Sequence, residues 1–408
     1  MAYFKDIIKG VRWLGGLKIA SRVIAFVKTA ILARILAPAQ FGLFGITSLV
    51  LEFLEILTET GINMVLIQEK KNTTALINTA WIVSIIRGLI ICLVILAVSP
   101  LIIHFFNSPE SYRLLLLMSA VPLIRGFINP AEIKLIKELT FKKEFLFRFS
   151  IYIIDTIVAV CMAFITQSAA SLIYGLIAGA LVEVLLSHYL ISPKPKIVFD
   201  KAKFKEIIRR GKWITGAGIF DYFFYNLDDI VVGRLLGTGL LGVYQVAYRI
   251  STLPITEVSD VFGKVTFPVY VKISEDKNRL TKTFYRTLFS VVLITVPFGI
   301  VILLFSKSII LILLGAKWLA AVDVLKILAV FGVIKAISNT VFSLLLSLKK
   351  QKYVTFITLF GILGLGITIV PLVNRYGIVG AGLSAFIGTL TAAPVAVYSL
   401  NKAFKAIK

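Results

Sequence analysis

Residues 33–44 read ARILAPAQFGLF, and residues 233–244 read GRLLGTGLLGVY. The two stretches lie 200 positions apart, and the same shift superposes Trp13 on Trp213. Internal repeats of this kind are common in membrane transporters, where each repeat forms one helical bundle. An even number of spans in each repeat keeps both in the same orientation. We therefore expect two parallel bundles with a site at their interface.

The composition indicates a membrane protein. Of 408 residues, 58% are hydrophobic and 16% are charged, and the mean hydropathy is +0.94; soluble domains have about 25% charged residues. A spanning helix needs about 20 largely apolar residues, and twelve such segments are predicted: 11–36, 41–67, 76–106, 112–136, 146–167, 169–191, 213–236, 240–270, 285–305, 320–347, 353–373 and 378–400. The predicted fold is an all-α, polytopic membrane protein with about twelve transmembrane helices. Its two six-helix bundles comprise residues 1–191 and 213–408, joined by a basic cytoplasmic linker at 192–212.

The positive charge lies mostly on one side of the predicted spans. The net charge is +23, which in a soluble protein would suggest a nucleic acid partner. Here the lysines and arginines gather in alternate connections, such as 134–148, 194–212 and 272–286, as the positive-inside rule describes. We therefore expect a multi-pass protein of the cytoplasmic membrane, with both termini cytoplasmic and the lipid bilayer, not nucleic acid, around it.

Short connections argue against an enzyme. The longest polar stretch runs from Ser192 to about Lys212, which leaves no room for a soluble catalytic domain. The cysteines, Cys92 and Cys161, fall in different spans, and the two histidines are far apart in sequence. We therefore expect no disulfide, no bound metal and no resident cofactor.

Charged residues inside the first two spans lie on defined helix faces. In the second span Glu52, Glu55 and Glu59 fall within an arc of roughly 60°. In the first span Lys18 and Arg22 are one turn apart. A charge at bilayer depth is costly unless it is paired or lines a wet cavity. These faces predict either a transport pathway or salt bridges that hold the helices in register.

The second half of the chain has corresponding charges. Asp221 and Asp228 share a face of the seventh span, and Asp228 stands 200 positions after Lys28. If the halves face each other, cationic and anionic sides would approach. The candidate residues for binding an anionic substrate are Lys18, Arg22, Lys28 and Arg249; those for ion coupling or pairing are Glu52, Glu55, Glu59, Asp221, Asp228 and Asp260. The candidate coupling ions are Na⁺ and H⁺.

Three segments resemble a known family: 30–68, 125–145 and 226–250, the last reading NLDDIVVGRLLGTGLLGVYQVAYRI. They are similar to the oligosaccharide flippases in the polysaccharide transporter branch of the multidrug/oligosaccharidyl-lipid/polysaccharide exporter superfamily. The resemblance implies a V-shaped pair of six-helix bundles that opens a central cavity to each side in turn. It further implies export of a polyprenyl-diphosphate-linked oligosaccharide for cell-surface polysaccharide biosynthesis.

The resemblance also implies a cationic cavity, which we assign to Lys18, Arg22 and Lys28. Other polysaccharide assembly proteins are candidate partners. A cation- or proton-coupled multidrug or metabolite antiporter of the same fold is the alternative function. A scaffold that organises lipid-linked glycan assembly without transporting it is a third.

Overall fold

The computed structural model describes residues 2–68, 73–138 and 140–405, and every regular element in these ranges is helical. The helices are α1 (Ala2–Ile35), α2 (Pro38–Leu57), α3 (Ile62–Gln68), α4 (Thr73–Phe106), α5 (Ser111–Met118), α6 (Ala120–Arg125), α7 (Ile133–Lys137), α8 (Phe141–Thr166), α9 (Ala170–Leu190), α10 (Lys201–Lys272), α11 (Lys277–Leu313), α12 (Ala321–Ser347) and α13 (Gln351–Lys405). Two short 3₁₀ turns occur at Pro130–Glu132 and Ala316–Trp318. The all-α prediction is confirmed.

The two longest helices, α10 and α13, each contain a break at a single glycine. In α10 the break is Gly237, with φ 78°, a conformation that glycine adopts without a steric penalty. The hydroxyl of Tyr244 then reaches back across the break to the carboxylate of Asp228, at 2.6 Å. In α13 the break is Gly377, with φ 60°. Each of these helices is therefore a hairpin of two arms and contains two of the predicted spans.

The internal repeat is visible at the turns. Helices α1 and α2 meet at Ala37, which is extended, and Pro38 begins α2. Proline favours this first helical position because its fixed φ suits a helix and its missing amide is not needed there. Gly237, the break in α10, lies 200 positions after Ala37. The two repeated segments thus form the same helix–turn–helix unit.

By length and apolar composition, seven of the described helices can cross a membrane, or eight if Ser111–Arg125 and Pro130–Lys137 form one span bent by 66°. The hairpins α10 and α13 count once each in this number. The predicted span 41–67 is divided between α2 and α3, and the predicted span 112–136 is divided among α5, α6 and α7. The polytopic membrane class is confirmed, and these two spans are broken helices.

The chain forms two compact units, Met1–Phe223 and Phe224–Lys408, divided inside α10. We call them unit 1 and unit 2. In unit 1, helices α2, α4, α5 and α9 enclose a core that includes Leu115 and Ile173, both with no exposed surface. A second cluster joins α3, α4 and α8. Burial of these side chains supplies most of the packing energy that holds the charged helices in place.

Unit 2 has its own core. Phe284 of α11 and Leu344 of α12 pack together at its centre. Tyr270, on the second arm of α10, and Ala403, near the end of α13, complete the cluster. All four residues are at most 1% exposed. Each unit therefore buries an apolar core independently.

The chain segment 192–200 lies against unit 1. The side-chain amide of Asn129 donates a hydrogen bond to the carbonyl of Pro193 at 3.1 Å. The backbone amide of Lys196 donates to the side-chain oxygen of Asn78 at 2.9 Å. The first half of the predicted linker is therefore anchored to unit 1. The bundle boundaries at 191 and 212 stay a prediction.

Arg148 of α8 forms salt bridges with three carboxylates. It donates to Glu132 at 3.0 Å, to Glu144 at 3.1 Å, and to Glu183 of α9. Glu144 and Glu183 are buried. A single guanidinium thus joins α8, α9 and the 3₁₀ turn Pro130–Glu132. Loss of one partner from such a buried group leaves uncompensated charge, which costs more than the pair contributes.

Helices α4 and α6 touch through glycines. A Cβ atom added at Gly88 would collide with the carbonyl oxygen of Pro122, and one added at Gly126 would lie 3.0 Å from the carbonyl oxygen of Ser84. The helix backbones therefore come closer than any side chain permits. This contact holds α6 in the position from which it presents Arg125.

We predict that Arg148→Gln destabilises the protein by about 3 kcal/mol, because three carboxylates lose their shared cation. The thermal midpoint of the purified protein in detergent measures this loss. Arg113→Gln, which removes an exposed arginine of α5, is the control and should leave the midpoint unchanged. Equal midpoints for Arg148→Gln and wild type would contradict the role of the cluster.

Gly88→Val is expected to destabilise unit 1 by about 1–3 kcal/mol, because the added side chain forces α4 and α6 apart. The yield of monodisperse protein and its thermal midpoint report the effect. Gly366→Val is the matched control, since a Cβ there meets open space. If both valine variants behave alike, the close packing of α4 on α6 is not required.

Candidate functional site

Two of the three glutamates predicted on one face of the second span are paired with arginines of other helices. Oε1 of Glu55 lies 3.4 Å from Nη1 of Arg125 on α6. Oε2 of Glu59 lies 3.6 Å from Nη2 of Arg87 on α4. Arg87 also donates to the backbone carbonyl of Glu55 at 2.6 Å and to the hydroxyl of Thr58 at 3.0 Å. The end of α2 is thereby tied to α4 and α6.

The helix that carries these glutamates is interrupted. Helix α2 ends at Leu57 and α3 begins at Ile62. Between them Oε1 of Glu59 accepts a hydrogen bond from the amide of Gly61 at 2.9 Å, and Gly61 has φ 63°. The polar face predicted along one continuous helix therefore stops at the end of α2, and Asn63 belongs to the next helix. The break turns the Glu59 side chain toward Arg87.

The paired residues line a cavity of about 210 Å³ in unit 1, which we call the charged cavity. Its charged wall consists of Glu55, Glu59, Arg87, Arg125 and Glu132. Nε of Arg125 is buried there and has no acceptor among the described residues. Because arginine only donates and carboxylate only accepts hydrogen bonds, this wall can satisfy both functions of a hydroxyl group. Such a surface is suited to sugars.

Lys28, a predicted substrate ligand, has a carboxylate partner in the same unit. Its ammonium nitrogen lies 2.8 Å from Oδ1 and 2.9 Å from Oδ2 of Asp155 on α8. The two side chains are 14% and 16% exposed, so the pair is largely shielded from solvent. Gly175 of α9 makes room for the carboxylate, since a Cβ there would lie 2.5 Å from Oδ1. Lys28 would have to leave Asp155 to bind phosphate.

The other predicted site residues lie on three helices, α1, α2 and α10. Lys18 and Arg22 are one turn apart on α1, the first half-buried and the second exposed. The remaining candidates with exposed side chains are Glu52 on α2 and Arg249 and Asp260 on α10. The side chain of Asp221 lies outside the described residues. The structure thus brings Glu55 and Glu59 into one cavity, and the roles of Lys18, Arg22 and Arg249 stay predictions.

Asp228 is buried in unit 2 on the first arm of α10. Its Oδ2 accepts a hydrogen bond from Tyr244 at 2.6 Å, and its Oδ1 accepts one from the amide of Asp229 at 3.0 Å. Lys335 of α12 lines the same cavity. The sequence suggested that Asp228 and Lys28 could face each other across the halves. Each of them has hydrogen-bond partners within its own unit.

Lys335 lies among aromatic rings that we call the Lys335 cage. Its ammonium nitrogen is 4.9 Å from the ring centre of Tyr225, 5.4 Å from Phe331 and 5.5 Å from Tyr248. It also donates to the Tyr248 hydroxyl at 2.9 Å. Aromatic faces attract cations most strongly where water is excluded. The cage can therefore hold a charge in a cavity of about 70 Å³ whose wall is otherwise mostly apolar.

Four residues that are not among the predicted site residues lie in separate predicted spans: Arg87, Arg125, Asp155 and Lys335. Their ion-pair and hydrogen-bond partners lie 28 to 127 positions away along the chain, so helical periodicity cannot pair them. Opposite charges that lie at a similar depth in neighbouring spans can pair, and this criterion could have suggested some of the pairs. The Lys335 cage has no such signal, because its rings come from both arms of α10 and from α12.

The fold is similar to that of two solved transporters. A structure described as "Lipid II flippase MurJ, inward closed conformation" superposes with a TM-score of 0.77 over 96% of this chain and 89% of that one, at 17% identity. An inward-facing multidrug resistance MATE family transporter of the MOP superfamily superposes with a TM-score of 0.67 over 95% of each chain, at 15% identity. At these identities the likeness establishes the fold alone.

Sequence similarity is more specific. The chain is 26% identical over 349 residues to lipopolysaccharide biosynthesis protein WzxC of Escherichia coli (strain K12), covering 85% of this chain and 71% of WzxC. Residues 31–323 match the family described as polysaccharide biosynthesis protein. This match includes α2 to α9 with the charged cavity, and α10 with Asp228. The chain therefore belongs to the polysaccharide biosynthesis protein family.

Proposed function

We propose that this protein is a flippase that exports polyprenyl-diphosphate-linked oligosaccharide across the cytoplasmic membrane for cell-surface polysaccharide biosynthesis. The observation that carries the proposal is the family match over residues 31–323, which includes helices α2 to α11 and the charged cavity. The similarity to MurJ, named as a lipid II flippase, agrees with this activity at the level of the fold. A transporter, and not an enzyme, is the expected role.

The charged diphosphate group of the substrate is the main obstacle to its passage across the membrane. Moving an ion the size of a phosphate group from water into a dry medium costs on the order of 20 kcal/mol in the ideal limit. Cationic side chains in a wet cavity remove much of this barrier, and lysine and arginine suit phosphate as hydrogen-bond donors. We assign this role to Lys18 and Arg22 of α1, with Lys28 and Arg249 as further candidates. The polyprenyl chain would stay in lipid.

We assign the sugar-binding role to the charged cavity. Its arginines donate and its glutamates accept hydrogen bonds, so it can replace the water around a glycan. The positive charges of its two arginines and the negative charges of its three glutamates largely balance, so the cavity does not bind the diphosphate strongly. Weak binding of many hydroxyl groups favours passage over trapping.

The membrane potential can help to drive export. Outward movement of one negative charge from a negative interior is favoured by about 2.3 kcal/mol per 100 mV. This estimate assumes that the lysine-rich connections are cytoplasmic, as the positive-inside rule predicts. Return of the empty carrier has no such driving force. We propose that H⁺ or Na⁺ binds carboxylates such as Glu55, Glu59 and Asp228 during the return step.

A coupled antiporter of small cations is the second candidate, favoured by the similarity to a multidrug MATE transporter. Aromatic rings beside a buried carboxylate would suit an organic cation. In this protein the ammonium of Lys335 already occupies the aromatic cage, which argues for the flippase. Tight binding of an organic dye cation such as ethidium to the purified protein, measured by fluorescence, would favour the antiporter.

We predict that Lys18→Ala combined with Arg22→Ala reduces flipping of a lipid-diphosphate oligosaccharide by about 100-fold or more, because two charge-assisted hydrogen bonds of about 1.5–3 kcal/mol each are lost. Flipping is measured in proteoliposomes by the accessibility of the sugar to a lectin. Lys142→Ala with Lys143→Ala removes two exposed lysines of α8 and should flip normally. Undiminished flipping by the α1 variant, confirmed as inserted, would refute the assignment.

Coupling predicts that an imposed pH or Na⁺ gradient accelerates flipping by the wild-type protein. In the Glu55→Gln, Glu59→Gln variant the acceleration should disappear while basal flipping remains measurable. Glu110→Gln with Glu138→Gln alters two exposed glutamates and should leave the response intact. Wild-type flipping that ignores both gradients would remove the coupling proposal and leave the flippase proposal standing.

A further inference from the structure

Unit 2 carries a larger cavity at the end where α12 leads into α13. Its volume is about 680 Å³, and its wall includes Lys349, Lys350, Lys352 and, from the last turns of α13, Lys402. We call it the lysine groove. Among the described residues, no aspartate or glutamate lines it. Both arms of α13 therefore contribute positive charge to one opening.

The four lysines of the groove are not neutralised by the protein. None of them has a carboxylate oxygen within 4.0 Å in the part of the chain that the structure describes. Lys402 instead contacts the hydroxyl of Tyr398 at 3.4 Å, and Lys352 lies 5.8 Å from the ring centre of Phe356. Like charges gathered in this way repel one another. An anion placed between them would relieve the repulsion.

The aromatic residues of the groove continue into an apolar stripe. Phe356, Phe360, Leu363 and Ile367 follow at intervals of four, three and four residues, so they share one face of the first arm of α13. They are 41%, 46%, 55% and 74% exposed, and exposure rises with distance from the lysines. The stripe has no polar member. A free phosphate ion makes no use of such a surface, whereas an acyl chain does.

We propose that the lysine groove binds the head group of an anionic glycerophospholipid, with one acyl chain along the stripe from Phe356 to Ile367. Lysine binds phosphate as a point charge, and clustered basic residues at a membrane surface attract anionic lipid. Lys349, Lys350 and Lys352 lie where α12 leads into α13, and Lys402 lies in the last turns of α13; the positive-inside rule places both segments on the cytoplasmic side. The rings of Phe356 and Phe360 form the end of the stripe nearest the lysines, where head group and acyl chain would meet. This site is separate from the charged cavity and does not depend on the proposed transport.

The test is lipid binding by the purified full-length protein in neutral detergent. Native mass spectrometry measures the Kd for dioleoylphosphatidylglycerol and for dioleoylphosphatidylcholine. We expect a saturable site for the anionic lipid only. Replacing all four lysines by glutamine should weaken that site by about tenfold or more, whereas replacing them by arginine should keep it.

The matched control removes four positive charges elsewhere in unit 2, by Lys272→Gln, Lys277→Gln, Arg279→Gln and Lys282→Gln. These side chains are exposed, and their loss should not change the Kd. Equal weakening by both quadruple variants would overturn the proposal, because lipid binding would then depend on the total positive charge and not on the lysine groove. An unchanged Kd in the groove variant would overturn it as well.

A second variant tests the stripe without altering charge. Leu363→Ala with Ile367→Ala shortens two exposed side chains without adding a polar group, so folding should be retained, and it should also weaken phosphatidylglycerol binding. Glycerol 3-phosphate and inorganic phosphate should not displace the lipid at equal concentration. Displacement by either would show a site for a free anion and would overturn the assignment to lipid.

Discussion

The structure depends on one constraint: a charge placed in an apolar helix must be compensated close by. In unit 1 the compensation is by opposite charge, with Glu55 on Arg125 and Lys28 on Asp155. Each pair joins helices that are distant in sequence. The pairs therefore do two things at once, since they reduce the cost of the charge and hold the helices in register. Apolar packing alone would allow the helices to rotate or slide.

In unit 2, neutral groups stabilise the charges of Asp228 and Lys335. Asp228 is held by the hydroxyl of Tyr244 and a backbone amide, and Lys335 by aromatic rings and the hydroxyl of Tyr248. Hydroxyls and rings can stabilise a charge without cancelling it. The two units thus differ in electrostatic character although the sequence repeat relates them. Unit 1 offers a wall of mixed sign, and in unit 2 Asp228 and Lys335 line one largely apolar cavity.

Much of the fold could be predicted from the sequence, because apolar length and the 200-residue repeat depend on local composition. The turn at Ala37 and its counterpart at Gly237 followed from the repeat. The break between α2 and α3 was not predicted, although the run TETG at 58–61 is polar, because Glu59 also fits the polar face of one continuous helix. The pairing of charges was also inaccessible, because it depends on which helices are neighbours and how each is rotated. Helical periodicity predicts which residues share a face of one helix. It does not predict which neighbouring helix that face contacts.

The sequence predicted that Lys18, Arg22 and Lys28 lie in one helix, and they lie in α1. It did not predict that Lys28 pairs with Asp155 of α8. Arg87 and Arg125 were not among the predicted site residues, although they form part of the wall of the charged cavity. These errors share a cause, since a site built from several helices has no signature in any one of them. The glycine reversals have a different consequence. At Gly237 and Gly377 the chain turns back within a single residue, so these two corners leave almost no polypeptide in the water beyond the bilayer. Proteases and antibodies would therefore find little exposed backbone at these two corners.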